Sequence, residues 1–403
     1  MVRCKQSGSR YLLPMCVGIL MVLSACVEEE SDTPESTAFV NFTNGQPAVV
    51  VIGQDDFVSS GVGLSDAQLF SPYTNSFVAD DGSLYIPDWS NNRILVYDTI
   101  PTSNGAQASM VIGQPDFVSS NNTGASATQL YGPVSPVVND DKFFVLGWQH
   151  SRVAIYNSVP TASPGVIDVV LGQPDKVSSG PGCSATQLEK PESLWVAEGK
   201  MFVADGENNR VLIWSIIPTS DATPPDIVLG QFDMDLCEPN ADGLGAGTLH
   251  FPTAVWSDGN RIVVSDTSNN RILIWNSFPT VNGQDADMVL GQPDFFSTSE
   301  NRGGSVASNT LNAPYEGLHV ANDQLFVTDE KNNRVLIWNA FPTETGQSAD
   351  VVIGQANLVS NSSGTTETTL KQPNGVHLYD NKLIVTDGAN QRVLVYEGEW
   401  GSH

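Results

Sequence analysis

The 403-residue sequence predicts an all-β fold, a six-bladed β-propeller of four-stranded blades, from three observations. The segment Asn-Asn-Arg-(Ile/Val)-Leu-(Val/Ile)-(Tyr/Trp), or a near copy, recurs with its arginine at Arg93, Arg152, Arg210, Arg271, Arg334 and Arg392. A second segment, Val-(Ile/Leu)-Gly-Gln, recurs as often, with its glycine at Gly53, Gly113, Gly172, Gly230, Gly291 and Gly354. Two independent markers alternating in one order define a structural repeat. The third observation is a permutation. The last repeat stops at Val393-Leu394-Val395-Tyr396, while an unaccompanied copy of the second marker, Ala48 to Gly53, precedes the first repeat.

Each repeat reads as four short strands. A proline (Pro72, Pro133, Pro191, Pro252, Pro314, Pro373) leads into the first, for example Gly317 to Ala321. The second is an apolar run such as Leu325-Phe326-Val327-Thr328, ending at Asp329. The third, Arg334 to Trp338, is rich in the β-branched and aromatic residues that suit a pleated surface. A Pro-Thr turn leads to the fourth, Asp350 to Gly354, and a Gly/Ser/Asn/Thr-rich loop follows. Helical periodicity is absent after residue 26. Four-stranded units repeated without helices form a propeller. The N-terminal strand, about 48–53, completes the last blade and closes the ring, leaving no unpaired seam. The expected domains are a signal peptide (1–25), a lipidated cysteine and flexible tether (26–46), the propeller (47–398) and a C-terminal tail (399–403).

The N-terminus supplies an address. Arg3, Lys5 and Arg10 precede a short apolar run, Tyr11 to Leu23, which suits a cleavable signal better than a membrane span. Leu23-Ser24-Ala25-Cys26 resembles the lipobox of bacterial lipoproteins. That resemblance implies cleavage before Cys26 and a lipid on it, so the chain is anchored to a membrane without spanning it. Val27 in place of Asp favours the outer membrane in a Gram-negative cell, and Glu28-Glu29-Glu30 resembles surface-export signals. With 18 Lys+Arg against 45 Asp+Glu the formal charge is −27, which excludes a nucleic-acid partner, because phosphates are neutralised by clustered cations. Of the five cysteines, Cys4 and Cys16 leave with the signal and Cys26 carries the lipid. Cys183 and Cys237 remain in corresponding loops of neighbouring repeats, where an oxidising compartment permits a disulfide if their Cα atoms lie within range.

The pattern Leu-(Tyr/Phe)-Val-x-Asp-x-x-Asn-Asn-Arg-Val-Leu, after Pro-x-Gly, resembles the NHL repeat family of propellers. The resemblance covers nearly all of the chain beyond the tether. It implies that Asp88, Asp205, Asp266, Asp329 and Asp387 accept hydrogen bonds that brace the loop between second and third strands and fix Arg93, Arg210, Arg271, Arg334 and Arg392. The second repeat departs from the pattern with Gly147-Trp148-Gln149-His150-Ser151-Arg152. Its loop is either reshaped for binding or degenerate.

Counting back from each second strand places Phe77, Val137, Trp195, Trp256, His319 and His377 at one equivalent position facing the axis. They either line a ligand pocket, as amphipathic rings around a concavity do, or plug the channel. His319 and His377, with His250 as a third, are candidate zinc ligands, loosely similar to the three-His site of the six-bladed peptidylglycine amidating lyases; that family's local catalytic motifs are not evident. Two His alone do not make a catalytic zinc site. Asp and Asn around the channel are candidates for structural calcium, although Asp233-Met234-Asp235 lacks the remaining EF-hand ligands. No nucleophile elbow, phosphate-binding loop or His-Glu-x-x-His occurs. The leading expectation is therefore a cell-envelope module, with no cofactor, that binds a protein, peptide or glycan through Trp148, His150, Trp195, Trp256, His250, His319 and His377. The alternative is a metal-dependent lyase or hydrolase at the central channel.

Overall fold

The computed structural model describes residues 38–122 and 124–402. The signal peptide, Cys26 and Glu28 to Glu30 lie outside the described residues. Six four-stranded antiparallel sheets follow one another along the chain. Blade 1, for example, runs through Phe77–Val78, Leu84–Asp88, Arg93–Tyr97 and Met110–Ile112, and blade 5 through Leu318–Ala321, Gln324–Asp329, Arg334–Trp338 and Val351–Ile353. The sixth sheet takes Gly375–Tyr379, Lys382–Asp387 and Arg392–Glu397 from the end of the chain and Val50–Ile52 from its beginning. Val50 pairs with Val395 and Ile52 with Val393, so the expected closure is present. The chain is a six-bladed β-propeller.

Strands between blades are buried on both faces, which is why they read as continuous apolar runs. In Arg334–Trp338, Leu336 and Trp338 lie in the layer shared with blade 4, and Val335 and Ile337 in the layer shared with blade 6. Each such fully buried side chain contributes roughly 1.5–3 kcal/mol.

The two sequence markers turn out to touch each other. Gly53 and Gly354 adopt φ of 89° and 85°, and a Cβ there would stand 2.5 Å from Leu69 Cδ1 and 2.4 Å from Leu370 Cδ1. Glycine is therefore required twice over, by the left-handed backbone and by the leucine against it. The glutamine that follows bridges two loops. Gln114 Nε2 donates to the Asn92 carbonyl, immediately before Arg93, at 3.0 Å and to the Asn121 carbonyl at 2.8 Å. Gln231 and Gln355 repeat the arrangement on Asn209 and Asn333.

Two expectations are corrected at the chain ends. Residues 38–41, placed in the tether, and 399–402, placed in the tail, form an antiparallel pair, Ala38–Asn41 with Glu399–Ser402. The reason is an apolar alternation too short to stand out: Val40 and Phe42 are buried, and Phe42 packs edge-on to Phe326 at 6.3 Å. Gln324 seals the pair, accepting from Val40 N at 2.8 Å and donating to its carbonyl at 3.0 Å. Cys183 and Cys237 are joined in a disulfide, with Cα atoms 6.3 Å apart. No described helix is long and apolar enough to cross a membrane.

Candidate functional site

Five blades carry the same brace. In blade 4 the Asp266 Oδ1 accepts from His250 N at 2.7 Å, while Oδ2 accepts from Asn269 Nδ2 at 2.8 Å and Arg271 Nε at 2.6 Å. The guanidinium then reaches the carbonyls of Phe295, Gly245 and Thr248, tying three loops together. Asp88–Arg93, Asp205–Arg210, Asp329–Arg334 and Asp387–Arg392 repeat it with both partners fully buried. The residue just before each arginine sits in the left-handed region, as at Asn92 (φ 56°) and Asn270 (φ 53°), which suits asparagine. These residues hold loops in place and present no free chemistry. Blade 2 keeps Arg152 buried with Gly147 in the place of the carboxylate.

The axial position holds the six residues counted from the sequence, and they pack as a plug. Ring centroids lie 5.0 Å apart for Phe77 and His377, 4.3 Å for His319 and His377, 5.6 Å for Trp195 and His319, and 6.5 Å for Trp195 and Trp256. Phe77 of blade 1 also reaches Trp195 of blade 3 at 6.4 Å, a contact between non-adjacent blades that only the axis permits. Trp195 donates its indole N–H to the Ser257 carbonyl at 2.8 Å. Burial holds His319 down at about 4, and burial with the neighbouring His319 pushes His377 well below the ordinary range, so both rings are neutral at physiological pH. His250 does not join them; it contributes its backbone N–H to Asp266. Among the described residues no three His, Cys, Asp or Glu side chains converge as a metal site would need.

One layer above the plug lies a group that the sequence reading missed. Three residues before each plug residue stand Thr74, Val134, Glu192, Thr253, Glu316 and Asn374. Glu192 and Glu316 come from blades 3 and 5, are 0% and 1% exposed, and face each other across the axis. Burial raises Glu192 to about 7, and burial plus the Glu192 charge raises Glu316 well above the ordinary carboxylate range. The pair therefore holds a proton near neutral pH. Above it the Tyr73 and Tyr315 hydroxyls meet at 2.5 Å. Burial and these carboxylates push both phenols upward, so they stay protonated.

Half-buried aromatic rings extend outward from the tyrosines along the loop face. Tyr315 neighbours Phe251 at 6.2 Å, Tyr73 neighbours Trp89 at 5.9 Å, and Trp89 meets Trp148 at 5.7 Å. Trp148 donates to Glu192 Oε1 at 3.0 Å and carries the Lys190 ammonium 4.9 Å over its ring. Glu192 and Glu316 hydrogen-bond to each other, and the Thr74 N–H donates to Glu316, while the buried Trp89 Nε1 lacks a hydrogen-bond partner. Beside them a cleft of about 200 Å³ opens between Tyr73, Glu330 and Asn374. Of the predicted site residues, Trp148 belongs to this rim, while Trp195, Trp256, His319 and His377 belong to the plug and His150 is buried beside Tyr131 at 5.6 Å. The one signal for the carboxyl pair was a glutamate at a position that other repeats fill with Thr, Val or Asn.

No family model matches the chain, and no curated protein matches it. Solved structures that it resembles include a protein of unknown function from Bacteroides thetaiotaomicron, at 11% identity over 91% of this chain and 77% of that one, with a TM-score of 0.49. The computationally designed Ika8 protein is similar at 10% identity over 87% and 99%, TM-score 0.44. An inactive virginiamycin B lyase variant from Staphylococcus aureus, solved with quinupristin, is similar at 11% over 80% and 94%, TM-score 0.42.

Proposed function

We propose that the chain is an exported lipoprotein, held by Cys26, whose NHL-like propeller binds a protein, peptide or glycan of the cell envelope at the loop-face mouth of its axis. The observation that carries this reading is the rim: a run of half-buried aromatic rings, with the Trp89 indole N–H unpartnered, over a proton-sharing carboxyl pair. Aromatic faces offer apolar area at low entropic cost, and a protonated carboxyl both donates and accepts, which matches hydroxyls and amides. The lipobox-like Leu23 to Cys26 supports export and anchoring, and the charge of −27 supports a soluble, anchored surface. The Asp-x-x-Asn-Asn-Arg turns support grouping with the NHL repeats.

The test is cross-linking in intact envelopes followed by partner identification. A Tyr315→Ala, Trp148→Ala double variant is expected to lose the cross-linked partner while retaining its fold. Cys26→Ser is expected to move the protein from the membrane to the soluble fraction. Retention of the partner by the rim variant would refute the assigned face.

A further inference from the structure

Five blades serve as internal controls for the sixth. In each, a buried carboxylate accepts three donors: the arginine Nε, the asparagine two residues before that arginine, and the backbone N–H two residues before the leading proline. In blade 1 these are Arg93 Nε at 2.7 Å, Asn91 Nδ2 at 2.8 Å and Phe70 N at 2.7 Å from Asp88. In blade 5 they are Arg334, Asn332 and Asn312 around Asp329 at 2.8, 2.8 and 2.7 Å.

Blade 2 keeps the donors and lacks the acceptor. Arg152 is fully buried and still grips the carbonyls of Lys176, Ser126 and Gln129, so its guanidinium is where the others are. Its Nε has no partner. His150 replaces the asparagine, is 2% exposed, and has no partner on either ring nitrogen. Tyr131 holds the backbone position of Phe70, and the neighbouring Gly132 N donates to Asn92 as its counterparts do. The Tyr131 N–H itself has no acceptor among the described residues. Gly147 leaves the space open: a Cβ there would meet nothing closer than 3.4 Å and would lie 3.7 Å from Arg152 Nε. A buried guanidinium without a counter-charge and two unsatisfied donors beside it are costly. One ligand removes all three costs.

We infer that blade 2 binds a small monovalent anion, a halide or a short carboxylate, where the other five blades place an aspartate carboxylate. It accepts from Arg152 Nε, Tyr131 N and a ring N–H of His150, and it neutralises the arginine. The site belongs to the brace, so it stands whether or not the rim binds a partner.

The test uses bromide. Crystals of the protein grown in sodium bromide are expected to show an anomalous peak within hydrogen-bond reach of Arg152 Nε and Tyr131 N. In solution, chloride raised to tenfold above its dissociation constant is expected to lift Tm by about 1–2 °C over gluconate of equal ionic strength. Gly147→Asp supplies the missing carboxylate internally and is expected to abolish that response. Ordered water without a bromide peak at this place would overturn the inference, as would an equal chloride response in the wild type and Gly147→Asp. The crystallographic measurement decides the matter on its own if Gly147→Asp does not fold.

Discussion

Two layers of the axis, three residues apart along the chain, have gone separate ways. The lower one, Phe77 to His377, is closed by ring packing across the channel; Trp195 donates to the Ser257 carbonyl, while His319 Nδ1 stays buried without a partner. The upper one buries a proton-sharing pair, Glu192 and Glu316, under rings that remain half-exposed. Large rings at the axis alone do not mark a site, because a channel left open by small residues is closed most simply by such rings. A buried pair of acids beneath accessible rings is the better mark, since burying two carboxyls side by side is costly and folding alone gives no reason to keep them.

The largest expected effect sharpens this contrast. Trp195 touches Phe77, Trp256 and His319, so Trp195→Ala removes the centre of the plug. It is expected to cost about 3–5 kcal/mol in urea unfolding, with cross-linking to the partner retained by the folded fraction. Trp148→Ala is the mirror experiment. The side chain lies at the rim, so stability is expected to fall by no more than about 1–2 kcal/mol, for its bond to Glu192, while partner affinity falls by a factor of about 10 or more. If Trp195→Ala weakened the partner and Trp148→Ala did not, the two layers would have been assigned the wrong way round.

The sequence shows the axial ring and the brace because repetition exposes them, although it left open whether the ring lines a pocket or plugs the channel. Six residues at one offset, and an Asp and Arg at a fixed spacing, need only be aligned. The ring closure was legible for the same reason, since Ala48 to Gly53 is a whole marker out of place. Of the rim, only Trp148 was legible. Tyr73 and Tyr315 belong to blades 1 and 5, and Glu192 and Glu316 to blades 3 and 5, so each pair is made by closure of the ring and has no local sequence signature. The pair at Ala38–Asn41 was missed because a four-residue strand among Ser and Thr residues looks like linker until Glu399–Ser402 lies beside it. Gly147 was visible as a departure, but its consequence depends on Arg152 being buried, which only packing shows.

The smallest effect separates the layers by the sign of their pH dependence. In the upper layer burial holds Glu192 up at about 7, and burial with the Glu192 charge holds Glu316 well above the ordinary carboxylate range. The unfolded chain releases these protons near the ordinary 4.5, so above that pH the folded state carries more protons and stability falls as pH rises toward 7. In the lower layer burial holds His319 near 4. There the unfolded chain takes up protons first below 6.5, and stability falls as pH drops toward 4. Glu316→Gln is thus expected to flatten the alkaline limb and His377→Phe the acid limb, each by up to about 1.4 kcal/mol per pH unit for each proton removed. The comparison is with the wild type, by urea unfolding across both limbs, because Lys190, Glu207 and Glu330 also face the carboxyl pair and remain in both proteins. An alkaline limb unchanged in Glu316→Gln would mean that the pair does not hold the proton. The upper layer would then lose the donor that distinguishes it from an ordinary buried acid.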